Sequence, residues 1–376
     1  MTTIYTNILG LFVGALLLGL FIIPKISGVV RFKQLMDHPN ERSSHAFSTP
    51  NLGGVAFYII VMLSFYFTQP FDKSEVVMSI IPGLTILFII GLKDDLVVLS
   101  PLSKLGAQII AALFLVFHYR HTIESLHGFM GIEEMPNFIA APVGVIIVVA
   151  IINAINLIDG IDGLAATVGI IMFSIFGTLF FMAERYFLML TCVTMVGVLL
   201  AFLRFNLSQK NKIFMGDTGS MILGFLIGVM TVRLLALDHT VLAKLPFHHE
   251  NLPFVVGGIL IVPLFDTVRV FIIRILNKRS PFSPDRNHIH HLIIDYFDVS
   301  HRRASFFIGV ANFLFVLLFA FLAMRTEQWQ LLIIFTAVIF AAIIFFFILN
   351  RPRILRKIRV QIHRQTIRRK YFKYQN

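Results

Sequence analysis

The sequence predicts an all-α integral membrane protein, a polytopic bundle of about eleven transmembrane helices. Three observations predict this fold class. Hydrophobic residues make up 57% of the 376 residues and charged residues only 14%, whereas about a quarter of an ordinary soluble domain is charged. Apolar runs long enough to cross a bilayer recur along the whole chain. Basic residues are distributed between the connections as the positive-inside rule requires.

The eleven apolar runs are the predicted spans, and in chain order they follow one another with short connections. They cover residues 4–24, 53–67, 76–92, 105–117, 138–158, 164–182, 187–203, 220–237, 254–276, 305–324 and 331–349. The first run has neither a basic n-region nor a small-residue cleavage site, so we expect it to remain as a span. Between the fourth and fifth runs, the polar segment 118–137 is compatible with either a short hairpin or a helix.

The basic residues also predict the orientation. An odd number of spans puts the termini on opposite sides, and the tail at 351–373 contains ten Lys or Arg residues, which makes it cytoplasmic and the N-terminus external. The connections that then lie inside contain fourteen basic residues, whereas the outside connections contain five. We therefore predict a catalytic membrane domain over residues 1–350 and a basic cytoplasmic tail over residues 351–376.

Charge and cysteine content exclude several classes of function. The net charge is +12, but the basic tail is better explained by orientation and by contact with anionic lipids than by nucleic-acid binding. The single cysteine, Cys192, lies in an apolar run, so disulfides and cysteine-based metal sites are excluded. No repeat or separate soluble domain is evident.

Five aspartates occupy predicted cytoplasmic helix ends. Asp94 and Asp95 follow the third span, Asp159 and Asp162 follow the fifth, and Asp217 opens the eighth. Clustered carboxylates repel one another, so they need a cation or a donor network. Oxygen ligands without cysteine favour Mg²⁺, with Mn²⁺ as an alternative, over Zn²⁺. Because Mg²⁺ is usually shared with substrate phosphates, this pattern predicts a diphosphate substrate.

Glycines and histidines accompany these acids. The segments 153–164 and 214–220 are glycine-rich, and glycines at a helix start let backbone N–H groups approach phosphate oxygens. The alternative is that Asp162 and Asp217 are N-caps and the glycines only fit tight loops. On the same predicted face, His288, His290 and His291 follow Arg286, and we expect them to bind a phosphate or leaving group rather than zinc.

Five segments occur in the order found in the polyprenyl-phosphate N-acetylhexosamine-1-phosphate transferases, which the chain resembles. They are segment 37–54, the Asp94-Asp95 pair, the runs 153–164 and 214–220, and the histidine run 288–291. The histidine run resembles most the branch that uses UDP-N-acetylglucosamine. The peptidoglycan branch, phospho-N-acetylmuramoyl-pentapeptide transferase, typically has three consecutive histidines and is the alternative. There is one departure: many relatives have another Asp or Asn three positions after the acidic pair, whereas Leu96, Val97 and Val98 follow Asp94-Asp95 here. Any role of that third polar group cannot be carried over.

The resemblance implies roles for individual residues. It implies that Asp217, with Asp159, binds Mg²⁺, that Asn156 and Asp159 lie near the diphosphate, and that Asp94 and Asp95 act on the polyprenyl phosphate. The remaining implied roles concern substrate contacts. They are uracil stacking by Phe214, nucleotide binding by Asp162, binding by Thr49 in the first cytoplasmic segment, contact with the sugar-linked phosphate by His288, His290 and His291, and assistance by Arg286.

The function so predicted is transfer of N-acetylglucosamine 1-phosphate from UDP-N-acetylglucosamine to undecaprenyl phosphate, which starts a cell-envelope polysaccharide. The expected location is the bacterial cytoplasmic (inner) membrane with the active site on its cytoplasmic face; a homodimer is compatible with this. The rivals are a lipid-linked sugar transporter and a non-catalytic scaffold. Asp266 and Arg269, which follow Pro263 in the ninth span, are interpreted as a pair that anchors or bends the helix rather than as a translocation pathway.

Overall fold

The computed structural model describes residues 2–33, 36–37, 49–72, 76–117, 123–280 and 287–373. These residues form thirteen α-helices and four short strands. The helices are α1 (Thr2–Phe32), α2 (Gly54–Thr68), α3 (Val76–Leu96), α4 (Pro101–Phe117), α5 (Asn137–Ile158), α6 (Leu164–Met182), α7 (Tyr186–Asn206), α8 (Gly216–Leu235), α9 (His239–Leu242), α10 (Leu252–Leu276), α11 (Ile289–Phe297), α12 (His301–Ala323) and α13 (Gln328–Lys373).

The helices confirm an all-α, multi-pass membrane protein. Within the described ranges, nine helices are long and apolar enough to cross a bilayer, namely α1, α2, α3, α5, α6, α7, α8, α12 and α13. The two other predicted spans correspond to α4, which is shorter but apolar, and to α10, which carries Asp266, Arg269 and Arg274. The count of eleven spans and their orientation stay predictions.

Two helices extend well beyond the predicted spans. Helix α1 continues through Pro24 to Phe32, because proline is tolerated within membrane helices when neighbouring groups satisfy the freed carbonyl. Helix α13 runs without a break from Gln328 to Lys373 and therefore crosses the predicted domain boundary at residue 350. The predicted tail is thus a helical continuation of the last apolar segment over the described residues.

Helix α8 forms the centre of the bundle, and its apolar window is wholly buried. Small residues bring its neighbours close: a Cβ on Gly91 of α3 would lie 2.6 Å from Thr218 Cα, and one on Gly224 would lie 2.7 Å from Ile152 Cα of α5. Close backbone approach at glycines is the usual means by which membrane helices pack. As a result, the start of α8 lies between the final turns of α3 and α5, where the aspartates were predicted to meet.

Four short strands form two antiparallel pairs. Strand β1 (Met36–Asp37) pairs with β2 (Thr49–Pro50), and β3 (Ser125–Phe129) pairs with β4 (Ile132–Glu134). The second pair resolves the choice left open for segment 118–137 in favour of a hairpin. Its turn residues, Met130 and Gly131, both have positive φ, which a tight hairpin turn requires. This hairpin lies at the end of the bundle opposite Asp217.

Candidate active site

A lysine joins two of the predicted acids. Lys104 Nζ, from the first turn of α4, lies 2.6 Å from Asp94 Oδ2 and 2.9 Å from Asp217 Oδ2. The other Asp217 oxygen accepts a hydrogen bond of 2.5 Å from Asn156 Nδ2, which also donates to Ser220 Oγ at 2.8 Å. Lys104 was counted in the sequence only as an orientation charge. Its place in the site follows from the fold, because Asp217 is 113 residues away in the chain.

The neighbouring Asp95 binds the start of α8. Its Oδ1 accepts from the N–H of Asp217 at 2.7 Å, and its Oδ2 accepts from the N–H and the hydroxyl of Thr218 at 3.0 and 2.5 Å. Asp94 instead accepts from the N–H of Leu99 at 2.6 Å and faces Lys104. The two adjacent carboxylates therefore have different partners. The structure assigns Asp95 a helix-capping contact, while the catalytic role implied for it stays a prediction.

The first segment before α2 is joined to the Phe214 loop by backbone hydrogen bonds. Phe214 N–H donates to Pro50 O at 2.7 Å, and the N–H groups of Gly53 and Gly54 donate to the Phe214 and Met215 carbonyls at 3.0 and 2.9 Å. Thr49 is buried just before this junction, in β2. The contact fixes the loop that carries Phe214, although it leaves the substrate-binding role of Thr49 a prediction.

Gly216 supports the interpretation that the glycines fit tight loops. Its φ is +72°, and a Cβ there would lie 2.1 Å from Asn51 O and 2.6 Å from the Asp95 carboxylate. The glycine is therefore needed for a tight junction between three chain segments. The N-cap alternative is wrong for both acids: the N-cap residues of α6 and α8 are Gly163 and Met215, and Asp217 lies within the first turn.

A second polar group surrounds Phe214. Lys212 Nζ lies 2.7 Å from Asp162 Oδ2 and 5.1 Å from the centroid of the Phe214 ring. Ser305 Oγ donates to the Asp162 carbonyl at 2.7 Å and so connects α12 to this turn. Thus a half-buried aromatic ring, an acid and a base lie together, a combination that suits a pyrimidine nucleotide. Lys212 was also counted in the sequence only for its charge.

Asp159 lies between these two groups. Burial raises the pKa of its carboxyl well above the usual range, and the nearby charges of Asp217, Asp95 and Asp162 raise it further. Such a position favours a bound cation. Among the described side chains, no group of three or more acid, histidine or cysteine ligands already surrounds one point. The donors are nevertheless carboxylate oxygens, which fit Mg²⁺, and Asp217 and Asp159 are the residues that would hold it.

The histidine run reaches the same region. A Cβ on Gly160 would lie 2.5 Å from His290 Nε2, so the histidine ring rests against the turn that follows Asp159. Burial, with smaller contributions from His291 and His288, lowers the pKa of His290 well below its usual range, so the ring is neutral at pH 7. The ring centroids of His290 and His291 are 4.3 Å apart. Arg286 lies outside the described residues.

The predicted pair in α10 is confirmed. Arg269 Nη2 lies 2.7 Å from Asp266 Oδ1, and the same carboxylate binds His288 Nδ1 at 2.9 Å. The pair therefore anchors the histidine segment.

Known proteins are similar to this chain over most of its length. Residues 77–235 match the family model described as glycosyl transferase family 4. A Bacillus subtilis protein named as a probable undecaprenyl-phosphate N-acetylglucosaminyl 1-phosphate transferase is 31% identical over 89% of this chain and 90% of its own length. The undecaprenyl-phosphate alpha-N-acetylglucosaminyl 1-phosphate transferase of Escherichia coli K12 is 27% identical over 78% of this chain and 77% of its own length. The protein of the same name from Haemophilus influenzae is 29% identical over 69% of this chain and 72% of its own length. The chain thus belongs to glycosyl transferase family 4, in the branch that these relatives represent.

Proposed function

We propose that the protein transfers N-acetylglucosamine 1-phosphate from UDP-N-acetylglucosamine to undecaprenyl phosphate, with release of UMP. The observation that carries the proposal is the cluster of Asp94, Lys104, Asn156 and Asp217 at the helix ends of a membrane bundle. A lipid-linked phosphate and a water-soluble nucleotide can meet only at such a boundary. The names of the relatives support the same transferred group and acceptor.

In the proposed reaction, an oxygen of the lipid phosphate attacks the β-phosphorus of the UDP-sugar. The bond from this phosphorus to the bridging oxygen breaks, and UMP leaves with that oxygen. Phosphoryl transfer of this kind depends on positioning and charge neutralisation. Lys104 supplies positive charge between Asp94 and Asp217. We assign the orientation of the lipid phosphate to Asp94, because the Asp95 carboxylate already binds α8.

Other residues are proposed to bind the donor. Phe214 would stack on the uracil, with Asp162 and Lys212 beside the ribose and α-phosphate. The neutral His290, with His291, would donate hydrogen bonds to the phosphate that carries the sugar. Bound at Asp217 and Asp159, Mg²⁺ would neutralise the diphosphate oxygens. Each of these residues lies at the end of the bundle that we propose is cytoplasmic.

An apolar cavity beside the histidine helix suits the isoprenoid chain of the acceptor. It has a volume of about 800 Å³ and is lined by apolar side chains of α10 to α13, among them Phe265, Ile289, Ile293 and Phe346. Ile289 and Ile293 belong to the same helix as His290 and His291. A chain packed there would therefore keep its phosphate near the reacting groups.

The test is release of UMP by the purified protein in detergent or nanodiscs. We expect release from UDP-N-acetylglucosamine only when both undecaprenyl phosphate and Mg²⁺ are present, and much slower release from UDP-muramoyl-pentapeptide. Lys104→Met should lower kcat by at least about tenfold, since it removes a charge-assisted contact worth about 1.5–3 kcal/mol. Lys93→Met is the matched control, because Lys93 is exposed near the end of α3. Lipid-linked sugar transport without UMP release would contradict the proposal.

A further inference from the structure

A buried carboxylate outside the acidic cluster joins two helices. Asp266 of α10 is only 1% exposed. It accepts hydrogen bonds from Arg269 Nη2 at 2.7 Å, from His288 Nδ1 at 2.9 Å and from Ile289 N–H at 2.9 Å. An ionised group in an apolar bundle is costly unless partners satisfy it. Two of these three partners belong to the start of the histidine segment, so its placement depends on Asp266.

We propose that Asp266 is a positioning residue that holds the histidine-bearing helix α11 against the Asp159 turn. This inference rests on the proposed function. Ile289 is the first residue of α11, and first-turn N–H groups have no partner within their own helix. The N-cap residue, His288, makes no capping bond with its side chain. Asp266 therefore caps α11 from a different helix.

The same carboxylate also orients the His288 ring. An ionised carboxylate only accepts hydrogen bonds, so His288 Nδ1 must carry the proton. His288 Nε2 faces Arg274 Nη2 at 3.4 Å, and an arginine only donates, so this nitrogen is the acceptor. These two partners fix one orientation of the ring. Because both ring nitrogens face groups of α10, we assign His288 to the support of the site rather than to substrate contact.

The orientation of His288 is passed to His290. The two rings are stacked, with centroids 5.7 Å apart and planes 5° from parallel. His290 in turn rests against Gly160, whose added Cβ would lie 2.5 Å from Nε2. A continuous set of contacts therefore leads from Asp266 to the backbone beside Asp159. Loss of the contact between Asp266 and His288 should therefore displace the His290 ring.

Arg269 balances the charge of Asp266 and fixes the chain before α11. It donates to the carbonyl of Asn287, and its guanidinium lies 4.2 Å from the centroid of Phe346 in α13. The segment that begins α11 is therefore tied to α10 by both members of the ion pair. The pair is a support for the histidines, which explains why both charges are present in α10.

The test compares Asp266→Ala and Asp266→Asn with Thr267→Val. Thr267 is the matched control, since it is buried next to Asp266 and its hydroxyl bonds only within α10, to Pro263 O at 2.8 Å. We expect Asp266→Ala to lower kcat about 10- to 100-fold, the effect of a displacement of about 1 Å, with KM for UDP-N-acetylglucosamine within about threefold. Asp266→Asn keeps one acceptor oxygen and should retain more kcat; Thr267→Val should stay within about twofold.

Hydrogen exchange of residues 287–297, measured by mass spectrometry, tests the cap without any assay of activity. Exchange at the start of α11 should rise at least about fivefold in Asp266→Ala and should be unchanged in Thr267→Val. Unchanged exchange in Asp266→Ala, or a kcat within twofold of wild type, would overturn the proposal, as would an equal loss of kcat in Thr267→Val. If Asp266→Ala does not fold, the same comparisons are made with Asp266→Asn. A wild-type protein that releases no UMP would refute the proposed function, and the exchange data would still decide the cap.

Discussion

Replacing Asp95 by alanine removes the carboxylate that binds the start of α8. Two N–H groups and one hydroxyl, from Asp217 and Thr218, donate to it at 2.5–3.0 Å. These first-turn N–H groups have no partner within their own helix, and Thr218 is fully buried, so water cannot replace the carboxylate. Because a hydrogen bond contributes about 0.5–1.5 kcal/mol net and three such bonds share this carboxyl, we expect Asp95→Ala to lower the free energy of unfolding by about 2–4 kcal/mol.

The assay is titration with SDS in mixed micelles, followed by circular dichroism. Asp95→Asn keeps one acceptor oxygen and should lose about half as much stability. Asp94→Ala is the matched control, because its carboxylate binds Leu99 N–H and Lys104 rather than α8. We expect it to reduce turnover at least about tenfold but to cost less stability than Asp95→Ala. Equal losses of stability in the two alanine variants would refute the capping role of Asp95.

Three further predictions concern the metal, the nucleotide and pH. Asp217→Asn should fold and insert normally but lose most activity, and near-normal turnover at limiting Mg²⁺ would contradict the metal assignment. Phe214→Ala should weaken UMP binding roughly 5- to 150-fold in calorimetric titration without changing KM for undecaprenyl phosphate, whereas Phe214→Tyr should retain much of the affinity. Burial lowers the pKa of His127, so its contribution to stability is full above about pH 6.5 and is lost at more acidic pH. His127→Gln should therefore weaken the dependence of the thermal midpoint on pH between 7.5 and 5. An unchanged dependence would show that His127 does not cause it.

The sequence predicted where the acids lie but not what they bind. Hydropathy and the parity of the spans placed Asp94, Asp159 and Asp217 at the same end of the bundle, and the structure brings their segments together. Their partners depend on side-chain directions and on helix contacts between residues far apart in the chain. Lys104 is 113 residues from Asp217, and no local pattern distinguishes it from an orientation charge.

Local geometry was the second part that the sequence could not predict. The hairpin at residues 125–134 lacks the Asn-Gly or Asp-Gly turn that would have indicated it, because Met130 takes the first turn position with φ of 53°. Helix α1 passes Pro24, where the apolar run was taken to end. In both places the backbone departs from the local preference of the residue.

Helix ends in this bundle are completed by side chains from elsewhere in the chain. The N-cap residues of α8 and α11 form no side-chain capping bonds, and Asp95 and Asp266 supply those bonds from other helices. At the other end of α8, His127 Nε2 bonds the Leu235 carbonyl at 3.0 Å. Because Thr218 and Leu235 are buried, water has little access to the backbone groups that Asp95 and His127 satisfy. A carboxylate beside a helix start can therefore be required by the fold as well as by the chemistry. Loss of activity on its replacement identifies a catalytic group only when stability is measured in the same variant.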